Sequence, residues 1–186
     1  MNIIETVLPG VMIVEPRLHG DERGYFLETW NRAAYRSAGL DLDFVQDNLS
    51  SSGRGVLRGL HYQLPNGQGK LVSCVLGEVF DVAVDIRQGS PTFGKWVGVT
   101  LTPENARRLY VPPDFAHGFQ VVSEQALFTY KCTDVYNKAA EGSVRWDDPA
   151  IGIDWPVANP TLSDKDVIAP LLAEVPADRL PKYGAS

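Results

Sequence analysis

The chain has little of what most cofactor-binding or redox machinery leaves in a sequence. Its 186 residues include only two cysteines and three histidines. Cys74 and Cys132 each lie inside an apolar run, with no Cys-x-x-Cys pair and no basis for a disulfide framework, so both are expected as buried, reduced thiols. There is no Gly-x-Gly-x-x-Gly, no Walker loop and no Gly-x-Ser-x-Gly, which leaves dinucleotide binding, P-loop chemistry and a hydrolase elbow without a signature. No long hydrophobic run occurs either: the best stretch, Leu71 to Ile86, is interrupted by Glu78, Asp81 and Asp85. Neither a membrane span nor a signal peptide is expected, and the cytoplasm is the expected compartment. Basic residues are also the minority, 17 Lys and Arg against 23 Asp and Glu, for a formal charge of −6. That balance argues against nucleic acid or an anionic membrane as partner, while a local cluster of cations could still hold a small anion.

What the sequence does have is a dense series of short alternating runs. Gly55 to Gln63 is the most informative, with Val56, Leu57, Leu60 and Tyr62 set among polar residues and glycines. Lys70–Leu76, Val79–Ile86, Lys95–Leu101, Arg107–Val111, Gly118–Val122 and Ala126–Thr133 read as further strands. Gly77-Glu78 reads as a two-residue hairpin turn between the first and second of these. Ile3 to Val14, broken by Pro9 and Gly10, reads as an edge strand, and Phe44 to Ser52 carries the polar run Gln46-Asp47-Asn48 into a serine and glycine turn. Helix is scarce: Asn31 can cap Arg32–Ala38, which Gly39 ends, and a second short helix starts at Ser163. At this length the pattern predicts one all-β domain, a sandwich, jelly roll or barrel with a few short helices, and a loosely ordered tail from Pro176.

Candidate chemistry centres on Arg58 and His61. Three residues apart, they leave opposite faces of an ideal strand, but Gly59 between them permits a bulge that would turn both toward one cavity. A metal-binding barrel would be expected to carry a second histidine just after the first, whereas the sequence here is His61-Tyr62-Gln63, so no metal is expected. His117 follows the rigid Val-Pro-Pro-Asp turn and fits a structural or a ligand-touching role, while His19 lies in a polar loop. Tyr130 shares a strand face with Phe128, as a core tyrosine or as a proton donor inside the barrel. Asp166 fits a capping box begun by Ser163 and equally a carboxylate that orients a histidine. Arg23, Arg58, Lys70 and Lys165 lie beside glycines or in turns, where phosphate-binding cations often sit.

In order, the segments Asp21–Glu28, Gln46–Asn48, Leu57–Gln63, Gln68–Lys70, Val111–Phe119, Tyr130-Lys131, Tyr136, Glu141-Gly142 and Leu162–Asp166 resemble the dTDP-4-dehydrorhamnose 3,5-epimerase family. The resemblance runs from about residue 3 to about residue 172 and implies a cupin-type jelly roll that works without metal or other cofactor. It implies inversion at C3 and C5 of dTDP-4-dehydro-6-deoxy-D-glucose, a step of dTDP-L-rhamnose synthesis. A base removes each proton alpha to the C4 ketone, and an acid returns one from the opposite ring face. By position, His61 matches the base, Asp166 its carboxylate partner, Tyr130 the acid and Lys70 a cation at the C4 oxygen. Arg23, Glu28, the Gln46-Asp47-Asn48 run, Arg58, His117, Glu141 and Lys165 match substrate-binding positions, and Tyr136 matches a ring that stacks on thymine. The family also implies a homodimer with exchanged N-terminal strands, which the apolar Ile3–Val14 segment fits. Alternatives of the same pattern are an epimerase acting at C3 or C5 alone, a ketoisomerase, and a sugar-nucleotide-binding cupin without turnover. A metal-dependent cupin oxygenase is the last rival.

Overall fold

A computed structural model describes residues 1–184. Its strands are β1 (Asn2–Glu5), β2 (Met12–Glu15), β3 (Leu18–Asp21), β4 (Gly24–Leu27), β5 (Gln46–Gly53), β6 (Leu57–Gln63) and β7 (Lys70–Leu76). They continue with β8 (Val79–Asp85), β9 (Trp96–Leu101), β10 (Arg108–Val111), β11 (Phe115–Val121), β12 (Gln125–Cys132) and β13 (Glu141–Ser143). Among the described residues helix is limited to α1 (Arg32–Ser37), α2 (Asp164–Val167) and three single 3-10 turns. A six-stranded sheet is ordered β1-β2-β10-β7-β12-β5, a five-stranded sheet β13-β6-β11-β8-β9, and β3 pairs only with β4. From β5 to β8, and again from β9 to β12, every connection changes sheet. That alternation makes the fold an all-β, cupin-like jelly roll.

The inner faces of the two sheets meet in a core that includes Val72, Leu109, Val111 and Phe128 from one sheet and Val79, Val99, Phe119 and Val121 from the other. Each fully buried aliphatic side chain of this kind is worth roughly 1.5–3 kcal/mol of transfer free energy. Two smaller clusters cover the outer faces. Tyr35 of α1, with Trp30 and Phe44, lies over Val14, Leu71 and Tyr110 of the six-stranded sheet. Ile151, Leu172, Val175 and Leu180 of the C-terminal segment cover Val82, Val84 and Ala116 of the five-stranded sheet.

Four expectations are corrected. Gly77-Glu78 is a turn but not a hairpin, because β7 and β8 lie in different sheets. The turn instead docks on the β11–β12 connection, where Glu78 N–H donates to Ser123 Oγ at 2.8 Å and Val122 N–H to the Glu78 carbonyl at 2.9 Å. A turn signal is local, whereas strand partners are chosen by which faces can be buried. Ile3–Val14 is not one edge strand but two strands, β1 at the sheet edge and β2 inside it, paired with β1 and with β10. Gln46–Gly53 is a full strand paired along β12. The tail is docked as far as Tyr183: Leu180 is buried, and Gln88 N–H donates to the Pro181 carbonyl at 2.8 Å while Tyr183 N–H donates to that of Gln88 at 3.0 Å.

Candidate active site

A cavity of about 640 Å³ opens between the two sheets, lined along β5 by Gln46, Asn48 and Ser50 and along β6 by Arg58, His61 and Gln63. The bulge expected at Gly59 is present. Along the β6–β11 ladder His117 is paired with His61 and Phe119 with Arg58, so β6 holds one residue more than its partner between these pairs. Gly59 has φ +126°, and a Cβ there would lie 2.5 Å from Gly118 Cα and 2.8 Å from the His117 carbonyl oxygen. Only glycine fits, and the consequence is that Arg58 and His61 line one cavity.

His61 Nε2 lies 2.6 Å from Asp166 Oδ1, and Ser163 Oγ donates to Asp166 Oδ2 at 2.7 Å. The spacing left open whether Asp166 closes its helix or meets the histidine; it meets the histidine, and the Ser163 side chain makes no cap bond. Burial by itself would raise the Asp166 pKa, but the hydrogen bonds from His61 and Ser163 outweigh it and hold the carboxyl below its ordinary value. An ionised carboxylate can only accept, so the ring nitrogen facing Asp166 carries the hydrogen.

The opposite wall belongs to the six-stranded sheet. Lys70 on β7 faces Cys132 on β12, and the next inward pair along the ladder is Val72 and Tyr130. Burial pushes Lys70 down, against the charges of Cys132 and Asp81, and its Nζ donates to the Gln68 carbonyl at 3.3 Å. Burial also raises Tyr130, with Cys132 pushing the same way and Arg58 opposing. Beneath them Phe119 and Phe128 stack at 4.1 Å between centroids as an apolar floor. At the mouth, Glu141 Oε1 accepts from Lys165 Nζ at 2.7 Å and Oε2 from Tyr136 hydroxyl at 3.2 Å. Desolvation would raise Glu141, but Lys165 outweighs it and keeps the group below its ordinary value.

His61, Asp166, Tyr130, Lys70, Gln46, Asn48, Arg58, His117, Tyr136, Glu141 and Lys165 therefore converge on one cavity. Three expected residues do not. Asp47 points away, as strand alternation requires of a residue between Gln46 and Asn48, and holds Lys131 Nζ at 2.9 Å on the outer surface. Arg23 pairs with Asp21 at the tip of the β3–β4 hairpin, and Glu28 is exposed just beyond it; neither lines the cavity. The structure adds Asp81, fully buried, whose two oxygens lie 3.0 and 2.9 Å from His117 Nε2. A carboxylate in the otherwise apolar run Val79-Phe80-Asp81-Val82 was its signal. It also adds Ser52, whose Oγ accepts from Arg58 Nε at 3.4 Å and from one of its terminal nitrogens at 3.1 Å. Among the described residues no three His, Cys, Asp or Glu side chains converge as a metal set.

Comparison with known proteins gives this arrangement a family. The model described as dTDP-4-dehydrorhamnose 3,5-epimerase matches residues 5–174. The chain is 59% identical over 169 residues to the dTDP-4-dehydrorhamnose 3,5-epimerase of Shigella flexneri, covering 90% of this chain and 93% of that one. It is similar to the dTDP-6-deoxy-D-glucose-3,5-epimerase RmlC of Legionella pneumophila, solved in complex with dTDP-4-keto-L-rhamnose, with TM-score 0.95, 53% identity and 99% of each chain covered. It is also similar to NovW, a 4-keto-6-deoxy sugar epimerase from the novobiocin biosynthetic gene cluster of Streptomyces spheroides. There the TM-score is 0.93 and the identity 41%, over 98% of this chain and 94% of that one.

Proposed function

The chain belongs to the dTDP-4-dehydrorhamnose 3,5-epimerase family, and we propose that it inverts C3 and C5 of dTDP-4-dehydro-6-deoxy-D-glucose to give dTDP-4-dehydro-L-rhamnose. One observation carries the reading: the His61–Asp166 pair stands on one wall of the cavity, and Tyr130 and Lys70 stand on the other. Inversion needs that opposition, because a single two-way group returns the proton to the face it left.

His61 takes the proton from the carbon beside the C4 ketone, and Asp166 stabilises the imidazolium that forms. The electron pair of the broken C–H bond moves into an enolate, whose oxygen lies against the Lys70 ammonium. Tyr130 then protonates the carbon from the other face. The sequence is repeated at the second carbon, and the ketone serves as electron sink each time. Arg58 and His117 hold the diphosphate end, with Asp81 fixing the His117 ring; Gln46, Asn48, Glu141 and Lys165 position the nucleotide, and Tyr136 stacks on the thymine.

Two further parts belong to the proposal. The enzyme acts as a homodimer, and the exchanged element is the β3–β4 hairpin, which has no ladder to either sheet of its own chain and exposes Leu18, Tyr25 and Phe26. It carries Arg23, with Glu28 just beyond, to the partner's cavity. The enzyme works in the cytoplasm; no helix among the described residues is long and apolar enough to cross a membrane, and recovery with washed membranes would contradict that placement.

The test is incubation with dTDP-4-dehydro-6-deoxy-D-glucose in deuterated water, beside a His61→Ala variant, followed by NMR. Deuterium at C3 and C5 with the wild type and at neither with the variant is expected. Exchange at one carbon only would make it a single-site epimerase. A carbonyl moved from C4 to C3 would make it a ketoisomerase. Thermal stabilisation by dTDP without any exchange would leave a binding protein.

A further inference from the structure

Glu141 is the hub of the cavity mouth, because its carboxylate holds both Lys165 and the Tyr136 hydroxyl. The strand that carries it is short and supported on one side. β13 has three residues, lies at the edge of the five-stranded sheet and pairs with β6 alone. Glu141 lies opposite Gln63, and both side chains take the cavity face. On the other face a side chain at Gly142 would run into the Tyr62 ring, so β13 lies against that ring.

The backbone of Glu141 is not held by β6. Three residues on, Val144 exchanges both bonds with Leu60, at 2.9 and 3.2 Å. Such positions alternate along an antiparallel pair, so Glu141 turns its N–H and carbonyl toward the free edge. The N–H donates to the Lys138 carbonyl. The carbonyl is met from the C-terminal tail, where a terminal nitrogen of Arg179 donates to it at 2.9 Å. Arg179 is itself fixed at its base. It ends the 3-10 turn Ala177–Arg179, with its N–H on the Pro176 carbonyl at 2.8 Å. The Gln88 side chain donates to the carbonyls of Ala177 and Leu180 at 2.5 and 2.9 Å, and Leu180 is buried. A half-buried arm thus runs from the body of the barrel to the one backbone edge behind Glu141.

We propose that Arg179 is a positioning residue: by holding the Glu141 backbone from outside the sheet it sets the Glu141 carboxylate, and with it Lys165 and Tyr136, for the nucleotide. The inference rests on the proposed function, in which these three side chains receive the nucleotide. It makes the tail part of the frame of the site. Tyr130 and Lys70 stand on the other sheet, and His61 is held by Asp166, so the effect belongs to binding and not to the proton transfers.

Calorimetry with dTDP and steady-state kinetics read that effect. Arg179→Met keeps an unbranched apolar stem and removes the donor. It should weaken dTDP binding and raise KM about three- to ten-fold, the net effect of one hydrogen bond, with kcat within about two-fold of wild type. The contact uses a single bond and no bidentate fork, so Arg179→Lys should restore both. Glu141→Ala should also weaken dTDP binding, and adding Arg179→Met to it should cost little more, because the arm then has no carboxylate to place. An unchanged dTDP affinity in Arg179→Met would overturn the proposal. So would no recovery with lysine in a variant that melts as wild type does, or a loss repeated in full in the Glu141→Ala background, the mark of a merely structural arm. Wild-type dTDP affinity in Glu141→Ala would overturn it by a different route, by removing Glu141 from the nucleotide site. A wild-type protein that does not bind dTDP would overturn the proposed function along with it.

Discussion

At the scale of single residues, the cavity separates groups by how their surroundings treat charge. Asp166 is buried yet kept ionised, because His61 and Ser163 supply the hydrogen bonds that water would have supplied. Its folded pKa lies below the unfolded one, so the pair stabilises the fold above the ordinary carboxylate range and loses that contribution as pH falls through the folded value. Asp166→Asn keeps the shape and removes the charge. The amide can no longer hold an imidazolium, and it can present a donor to the nitrogen that Asp166 made a donor. We expect kcat to fall by about 10²–10⁴-fold with KM nearly unchanged, the range of a general acid–base contribution. Steady-state kinetics beside a melting curve checks it; a variant within a few-fold of wild type would mean that the His61–Asp166 contact does not serve turnover. This pair was half legible in the sequence. Residue types and family resemblance pointed to both partners, but a separation of 105 residues hides the contact from any local pattern. Asp81 was legible only as an oddity, a carboxylate in an apolar strand, because what satisfies it is the ring of His117, 36 residues away.

At the scale of elements, strands announced themselves where one face is apolar and fell silent where the inner face lines the cavity. β5 alternates as strictly as any other strand, but its inward residues are Gln46, Asn48, Ser50 and Ser52, and its outward ones include the exposed Leu49. The hydrophobic pattern is therefore inverted, and a search for apolar alternation passes over it. The tail was missed for the opposite reason: its one strong apolar anchor, Leu180, is isolated in sequence, and the rest of its hold is polar, from Arg179, which donates to the Glu141 carbonyl at 2.9 Å, and from the turn after β8. There Asp85, fully buried, accepts from the Arg87 side chain at 2.9 and 2.7 Å, from Ser90 Oγ at 2.5 Å and from Thr92 Oγ1 at 2.6 Å. Burial would raise its pKa, but the bonds from Arg87, Ser90 and Thr92 win and hold it at about 2, against 3.8 for the unfolded chain. The held guanidinium lies over the rings of Phe115 and Tyr183, 4.2 and 5.1 Å from their centroids, which ties the tail to the sheet. Because the folded value is the lower one, this contribution is present at neutral pH and is lost as pH falls from about 4 toward 2. The shift is worth roughly 2 kcal/mol. Urea unfolding of wild type and Asp85→Asn should differ by about that amount at pH 7 and converge toward pH 2. Parallel losses in both proteins would place the acid sensitivity elsewhere.

At the scale of the whole molecule, the chain leaves one side incomplete. A lone two-stranded hairpin is marginal in water, yet β3–β4 makes no ladder with either sheet and exposes Tyr25 and Phe26. The six-stranded sheet and its margin also leave Val45, Leu49 and Val75 uncovered. Of the three residues of the family pattern that fail to reach their own cavity, Arg23 and Glu28 lie on this hairpin or just beyond it. A second copy explains all three facts if the hairpin of each chain lies across the partner and brings Arg23 to its substrate. Such a site is composite, and a composite site can be rebuilt from two broken chains. Arg23→Ala and His61→Ala proteins should each be nearly inactive alone, the first lacking its contribution to the partner's cavity and the second lacking its base. After unfolding together and refolding, a dimer of one chain of each kind has one cavity with a sound base and a sound arm, and another with neither. Random pairing makes half the dimers mixed and half of the sites in those competent, so about a quarter of wild-type activity should return. Native mass spectrometry on separately mass-labelled chains counts the mixed dimers directly. Mixed dimers without recovered activity would show that each cavity is completed within its own chain, and a monomer in sedimentation equilibrium would remove the dimer altogether.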